Sequence, residues 1–120
     1  MNYEFDNNIP IFIQIVERIK REIISGEMMP GERISSVRVL ALKLKVNPNT
    51  IQRALNELEE MKLIYTERTN GKYVTNNQKL INQYKKIYAD ELINKFISDM
   101  KSIGINQEEI IDYIKSKGEK

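Results

Sequence analysis

Six side chains between Asn47 and Met61 set the chemistry of this chain: Asn47, Asn49, Thr50, Gln52, Arg53 and Asn56. All of them donate or accept hydrogen bonds, and none is acidic. A merely solvated helix face more often mixes Glu with Lys. Acid-free amide, hydroxyl and guanidinium groups at this spacing suit the edges of bases and the phosphates between them. A guanidinium can fork onto guanine O6 and N7, and Asn and Gln can pair with adenine. Thr50 and Ser36 hydroxyls, beside the free amides of a helix start, suit phosphate. The stretch therefore reads as a DNA-recognition helix.

The element that must position these groups is legible in the same residues. Asn47 can accept from the free amides of a first helical turn, and Pro48 fits the first helical position. Ile51, Ala54, Leu55, Leu58 and Met61 recur at helical spacing and predict the buried face. Glu57, Glu59 and Glu60 would repel phosphate and should point away from DNA. The reading end is thus the first two turns, through Arg53 and Asn56.

The net charge of +2 is too small to argue for a nucleic-acid partner. Its distribution says more. From Arg33 to Asn56 the chain has Arg33, Arg38, Lys43, Lys45 and Arg53 and no Asp or Glu, a local basic patch of the kind nucleic-acid readers show. The chain has no Cys and no His. That removes disulfides, the usual thiolate and imidazole metal ligands, a Cys nucleophile and any His acid or base. No nucleophile and base cluster in the remaining residues, so neither an enzyme nor a cofactor or metal site is expected. The N-terminus lacks a signal-peptide pattern. No apolar run approaches the ~20 residues needed to span a bilayer, so a cytoplasmic protein without a membrane partner is expected.

Around the recognition helix, periodicity predicts the rest of the chain. A first helix of about 15 residues follows Pro10, with Phe12, Ile15, Val16, Ile19 and Ile23 as its core stripe, and Gly26 ends it. Pro30-Gly31 is a tight turn, and Arg33-Ile34 a very short strand. Ser35-Ser36 offers an N-cap to a second helix, Val37 to Leu44, with Val37, Leu40, Ala41 and Leu44 buried and Arg38 facing out. The connection Lys45-Val46-Asn47 makes a helix-turn-helix, whose second helix enters the major groove. Lys62–Thr66 and Lys72–Thr75 are β-prone runs around Arg68-Thr69-Asn70-Gly71, where Asn-Gly signals a hairpin with a basic tip. A helix-turn-helix followed by a hairpin is a winged helix.

Asn76-Asn77-Gln78 reads as a polar hinge. A long helix from about Lys79 to Ile103 follows, stopped by Gly104, with Leu80, Tyr84, Ile87, Tyr88, Leu92, Phe96, Met100 and Ile103 near one stripe. Asn106 to Glu109 resembles a capping box before a short helix with Ile110, Ile111 and Ile114 that ends before Gly118. Two helices cannot bury so many apolar groups alone, and two-fold DNA readers need a spacer between half-sites. The fold class expected is mainly α with a small β-hairpin. Residues 1–77 form a winged helix-turn-helix DNA-binding domain, and residues 78–120 a two-helix dimerisation or effector region. Leu80, Tyr84, Ile87, Tyr88, Leu92, Phe96 and Met100 are the dimerisation candidates.

Several of these motifs together resemble the GntR-type winged-helix regulators. They are Pro10-Ile11-Phe12-Ile13-Gln14-Ile15-Val16, Ser25-Gly26 with Pro30-Gly31-Glu32-Arg33, and Ser36-Val37-Arg38, then Val46-Asn47-Pro48-Asn49-Thr50 and Leu63-Ile64-Tyr65 before a glycine-containing wing. The short two-helix tail looks like the YtrA subfamily. That resemblance implies a dimeric repressor of an operon such as one encoding a transport system. Carried over residue by residue, it implies DNA contacts from Ser36, Arg38, Asn47, Asn49, Thr50, Gln52, Arg53 and Gly71. Arg33, in the acid-free block, and Arg68 and Lys72, flanking the hairpin turn, complete the candidate set. The chain departs from the family pattern at four places. Ser35 replaces a Pro, Val39 replaces the Glu after Arg38, Lys62 stands where a Gly often ends the recognition helix, and Thr69 replaces the first wing glycine.

The partners expected are palindromic double-stranded operator DNA and a second copy of the chain. The alternative is a winged helix that binds RNA or another protein. Regulation is not written in the residues. The tail leaves little room for an enclosed ligand pocket, so a small-molecule effector, of unidentified chemistry, would sit at the dimer interface or in the groove between tail and winged helix.

Overall fold

The computed structural model describes residues 3–118. Their elements run α1 (Ile11–Ser25), β1 (Arg33–Ile34), α2 (Val37–Leu44), α3 (Pro48–Glu60), β2 (Ile64–Glu67), β3 (Gly71–Val74), α4 (Gln78–Ser102) and α5 (Gln107–Gly118). The chain divides into two compact units within α4, 1–83 and 84–120. The fold is mainly helical with one small sheet, as the periodicity predicts.

The first unit is organised by α1 packing on α3, with α2 and β2 also against α3. Ile15, Ile19 and Ile23 from α1 and Ile51, Ala54, Leu55 and Leu58 from α3 are fully shielded from solvent. Each of these Ile and Leu side chains contributes on the order of 1.5–3 kcal/mol by leaving water. Leu40 and Ala41 of α2, with Leu63, Ile64 and Val74 around the sheet, extend the same core. Three residues assigned to buried faces lie at its margin: Phe12, Val37 and Met61 are half-buried.

Helix ends follow the local chemistry. Ser36 Oγ accepts from Val39 N at 3.2 Å, and Asn47 Oδ1 accepts from Asn49 N at 2.8 Å. Pro10 precedes α1 without a side-chain cap. Instead, Gln14 ties the preceding segment to the helix. Its Oε1 accepts from Asp6 N at 2.8 Å, and its Nε2 donates to the carbonyls of Asp6 and Ile9, both at 2.7 Å.

The sheet has the order β1-β3-β2 and is antiparallel throughout. Tyr65 and Tyr73 face each other across the hairpin with rings stacked at 5.8 Å. The pairing Glu67↔Gly71 leaves Arg68, Thr69 and Asn70 as a three-residue loop. Gly71, at φ 102°, opens β3 rather than sitting within a two-residue turn. Thr69 keeps a negative φ, so nothing in the loop's backbone requires the glycine it replaces. Gly31 is constrained differently: at φ 80°, a Cβ there would lie 2.9 Å from Asn76 Oδ1, while its own amide donates to Val74 O at 2.9 Å.

Asn77, in the polar hinge, caps α4 by accepting from Leu80 N at 3.0 Å. In the second unit, Asn106 and Glu109 form the reciprocal capping box, Asn106 N to Glu109 Oε1 at 3.2 Å and Glu109 N to Asn106 Oδ1 at 2.9 Å. α5 continues through Gly118 instead of ending before it.

Lys62 carries the cost of an unusual backbone. It takes the left-handed conformation, φ 66°, at the end of α3, where a glycine would be unstrained. That conformation costs an L-residue roughly 1–2 kcal/mol, and glycine's added freedom in the unfolded chain costs about 0.5–1 kcal/mol in return. Lys62→Gly should therefore raise stability by roughly 0.5 kcal/mol, read as a higher urea midpoint with an unchanged slope.

Candidate nucleic-acid interface

The N-terminal half of α3 presents the candidate side chains outward. Asn47, Asn49, Gln52, Arg53 and Asn56 are exposed and Thr50 is half-buried. Two neighbours order this face. Gln52 Nε2 donates to Asn56 Oδ1 at 2.8 Å, one turn along the helix. The Arg53 guanidinium lies 3.7 Å from the centre of the Phe12 ring. Phe12 belongs to α1, and the core assignment made from its spacing overlooked this contact. Its place at the start of the stripe hints only at a marginal position, and no neighbour of Phe12 in the chain points to Arg53.

A second set of candidates converges between α2, α3 and the hairpin. Arg33, Ser35, Ser36, Val37, Leu55, Thr66, Gly71 and Lys72 line a groove of 210 Å³. Arg33, Ser36, Gly71 and Lys72 are thereby brought together from distant points in the chain. The Arg33 guanidinium lies over the Gly71 backbone, its Nη2 3.5 Å from where a Cβ would stand. A Cβ at residue 71 would only touch that guanidinium at ordinary van der Waals distance, so it is the φ of 102° that favours glycine there. Arg38 projects from the first turn of α2, exposed. With Val39 in place of an acid, it has no ion pair among the described residues. Arg68, exposed in the loop of the hairpin, does not line the groove.

Lys72 is engaged within the protein. Its Nζ lies 3.2 Å from Glu59 Oε1 and donates to Thr66 Oγ1 at 2.9 Å, and the Thr66 hydroxyl donates to the same Glu59 oxygen. This cluster joins the C-terminal end of α3 to both strands of the hairpin. Glu59 is turned to this task, away from the acid-free end of its helix.

The candidate dimerisation residues do not share one environment. Leu80 is half-buried in the first unit, beside the fully buried Ile81. In the second unit Tyr84, Tyr88 and Met100 are half-buried, whereas Ile87, Leu92 and Phe96 are exposed. Each step of four residues turns the helix by about 40°, so the row from Tyr84 to Met100 winds round α4 by roughly 160° instead of forming one stripe. The apolar cluster of its second half includes Ile93, 54% exposed, which lies outside the predicted stripe. On α5 only Ile110 is buried; Ile111, Tyr113 and Ile114 are exposed. No helix among the described residues is long and apolar enough to cross a membrane.

A winged helix whose recognition helix begins with an exposed, acid-free polar face is the architecture of a class of DNA-binding transcription regulators. The family model described as bacterial regulatory proteins, gntR family, matches residues 13–74. The chain belongs to the GntR family. It is 33% identical over 116 residues to the HTH-type transcriptional regulator YhcF of Bacillus subtilis, covering 97% of this chain and 96% of that one. The HTH-type transcriptional repressor YtrA of the same organism is 34% identical over 110 residues, or 91% of this chain and 85% of YtrA. A solved GntR family transcriptional regulator from Listeria monocytogenes superposes with a TM-score of 0.84 at 48% identity, over 93% of this chain and 98% of that one. The DNA-binding domain of AraR in complex with an operator matches with a TM-score of 0.53 and 27% identity, over 62% of this chain and 88% of that one.

The Glu59 cluster makes a pH-dependent contribution. The Thr66 hydrogen bond, then the Lys72 bond and charge, hold the Glu59 carboxyl below its ordinary 4.5 against the opposing effect of burial. A carboxylate depressed on folding stabilises above its unfolded pKa, and that stability is lost as pH falls through the folded value. The Glu59 side chain is 38% exposed, so solvent screens the pair. Glu59→Gln should cost about 0.2–1 kcal/mol at neutral pH. In urea titrations the gap to the parent should hold down to about pH 5 and close in stronger acid; a gap that persisted in strong acid would assign it to packing.

Proposed function

We propose that this GntR-family regulator is a homodimeric repressor acting in the cytoplasm on a palindromic duplex operator, as a member of the YtrA-like subfamily. The observation that carries the reading is the exposed, acid-free face of α3, where Asn49, Thr50, Gln52, Arg53 and Asn56 stand together at the N-terminal end. In this reading α3 enters the major groove with Gln52 and Arg53 toward base edges. Arg33, Ser36, Arg38, Asn47 and Thr50 meet the flanking backbone, and Arg68 and Gly71 bring the wing to the neighbouring phosphates or minor groove. Residues 1–77 are the reading domain. Residues 78–120 supply the dimer contact, through the exposed apolar groups of α4 and α5. The near full-length similarity to YtrA supports a repressor with a short tail, and an operon encoding a transport system is the target class proposed. The AraR domain with its operator supports duplex DNA as the ligand.

Two measurements test the reading. In gel shifts on a duplex selected by the protein from a randomised pool, Arg53→Ala should weaken binding by roughly 5- to 150-fold, the value of one good bidentate base contact. Parent affinity should fall steeply between low and physiological salt, because phosphate contacts release counterions. Retention of RNA with no retardation of duplex DNA at low salt would reject it. For the dimer, Phe96→Glu places a charge in the exposed cluster of α4. Sedimentation should show a parent dimer and a monomeric variant with unchanged helicity.

A further inference from the structure

We propose that Phe12 is a positioning residue for DNA reading: its ring orients the Arg53 guanidinium so that the donor edge faces a guanine in the major groove. The inference rests on the DNA-binding function proposed above and adds a residue and a division of labour to it.

The guanidinium carbon of Arg53 lies over the face of the Phe12 ring, 3.7 Å from its centre. Aromatic quadrupoles attract cations at such distances. The two residues come from different elements, α1 and α3, whose packing forms the main core of the first unit. Ile15 and Ile19, one and two turns below Phe12 on α1, are completely buried, as is Ile51, two residues before Arg53. The platform is therefore fixed relative to the helix that carries the arginine.

What the ring leaves free matters as much as what it holds. An acidic partner would consume N–H donors of Arg53 and cancel its charge. Stacking uses only the face of the guanidinium. Its five donors lie in the plane and stay available, and the charge is retained. Arg53 has no ion pair among the described residues. A long, flexible side chain is thus ordered before binding without being neutralised. Such ordering cuts the entropy lost on association, and it favours a planar, two-acceptor target such as guanine O6 and N7 over a single phosphate oxygen. The adjacent pair, Gln52 donating to Asn56 at 2.8 Å, orders the next side chain of the same face by a hydrogen bond.

The test uses the full chain and a duplex selected by the parent protein from a randomised pool. Phe12→Leu removes the ring face and keeps an apolar group of similar size, whereas Phe12→Tyr keeps the face. Phe12→Tyr should bind like the parent. Phe12→Leu should bind about 2- to 10-fold more weakly. The loss should be concentrated in discrimination at one G·C pair of each half-site, with binding to unrelated duplex unchanged. In an Arg53→Ala background, Phe12→Leu should have no further effect; equal losses in both backgrounds would make Phe12 a mere structural residue and overturn the proposal. Tighter binding by Phe12→Leu would also overturn it, because the ring would then be sequestering Arg53. A readout without DNA keeps the two readings separate. The Arg53 Nε–H resonance should be shifted by the ring current in the parent and in Phe12→Tyr, and should move in Phe12→Leu. A resonance indifferent to Phe12→Leu rejects the stacking role even if the parent binds DNA. A parent that shows the shift but retards no duplex rejects the DNA reading, and the proposal with it.

Discussion

The rest of the structure depends on one contact, the burial of the apolar face of α3 against α1. Ile51, Ala54, Leu55 and Leu58 are shielded completely, and so are the facing Ile15, Ile19 and Ile23. Close packing of that kind tolerates little movement. It decides which side of α3 stays in solvent, and so which side chains are available to a ligand. α2 and β2 are set against the same helix. The helix-turn-helix and the wing therefore take their positions from a single hydrophobic seam.

Around that seam, polar groups are ordered by partners that leave their recognition chemistry intact. Arg53 stacks on Phe12 and keeps its donors. Asn47 uses its oxygen to cap α3 and retains its amide nitrogen as a donor. The exception is Lys72, whose charge is spent on Glu59 and Thr66. There the chain trades a cation at the hairpin for a firm link between α3 and the strands. Arg33, lying over Gly71, supplies positive charge to the groove that Lys72 shares.

Much of the fold was legible because its signals are local. The N-caps Ser36 and Asn47, the glycine after α1, the capping box at Asn106 and the stop at Gly104 depend on neighbours a few residues away, and each lies where the residues placed it. The long-range features were not legible. Nothing near Phe12 in the chain announces Arg53, and nothing near Glu59 announces Lys72. The apolar row predicted for α4 does not stay on one face, since steps of four residues drift around a helix of 3.6 residues per turn. Ile93, exposed beside that row, lies outside the predicted stripe.

The residues alone determined the type and order of the elements, the acid-free reading face, and the membership of a family whose model spans residues 13–74. They could do so because periodicity, capping and turn chemistry act within a few positions, and because a buried face implies an exposed one. Only the tertiary structure decided how the exposed groups are used. It placed a ring beneath Arg53, a carboxylate beside Lys72 and a guanidinium over Gly71. Those pairings join residues far apart in the chain, and it is the packing of one helix on another that brings them within reach.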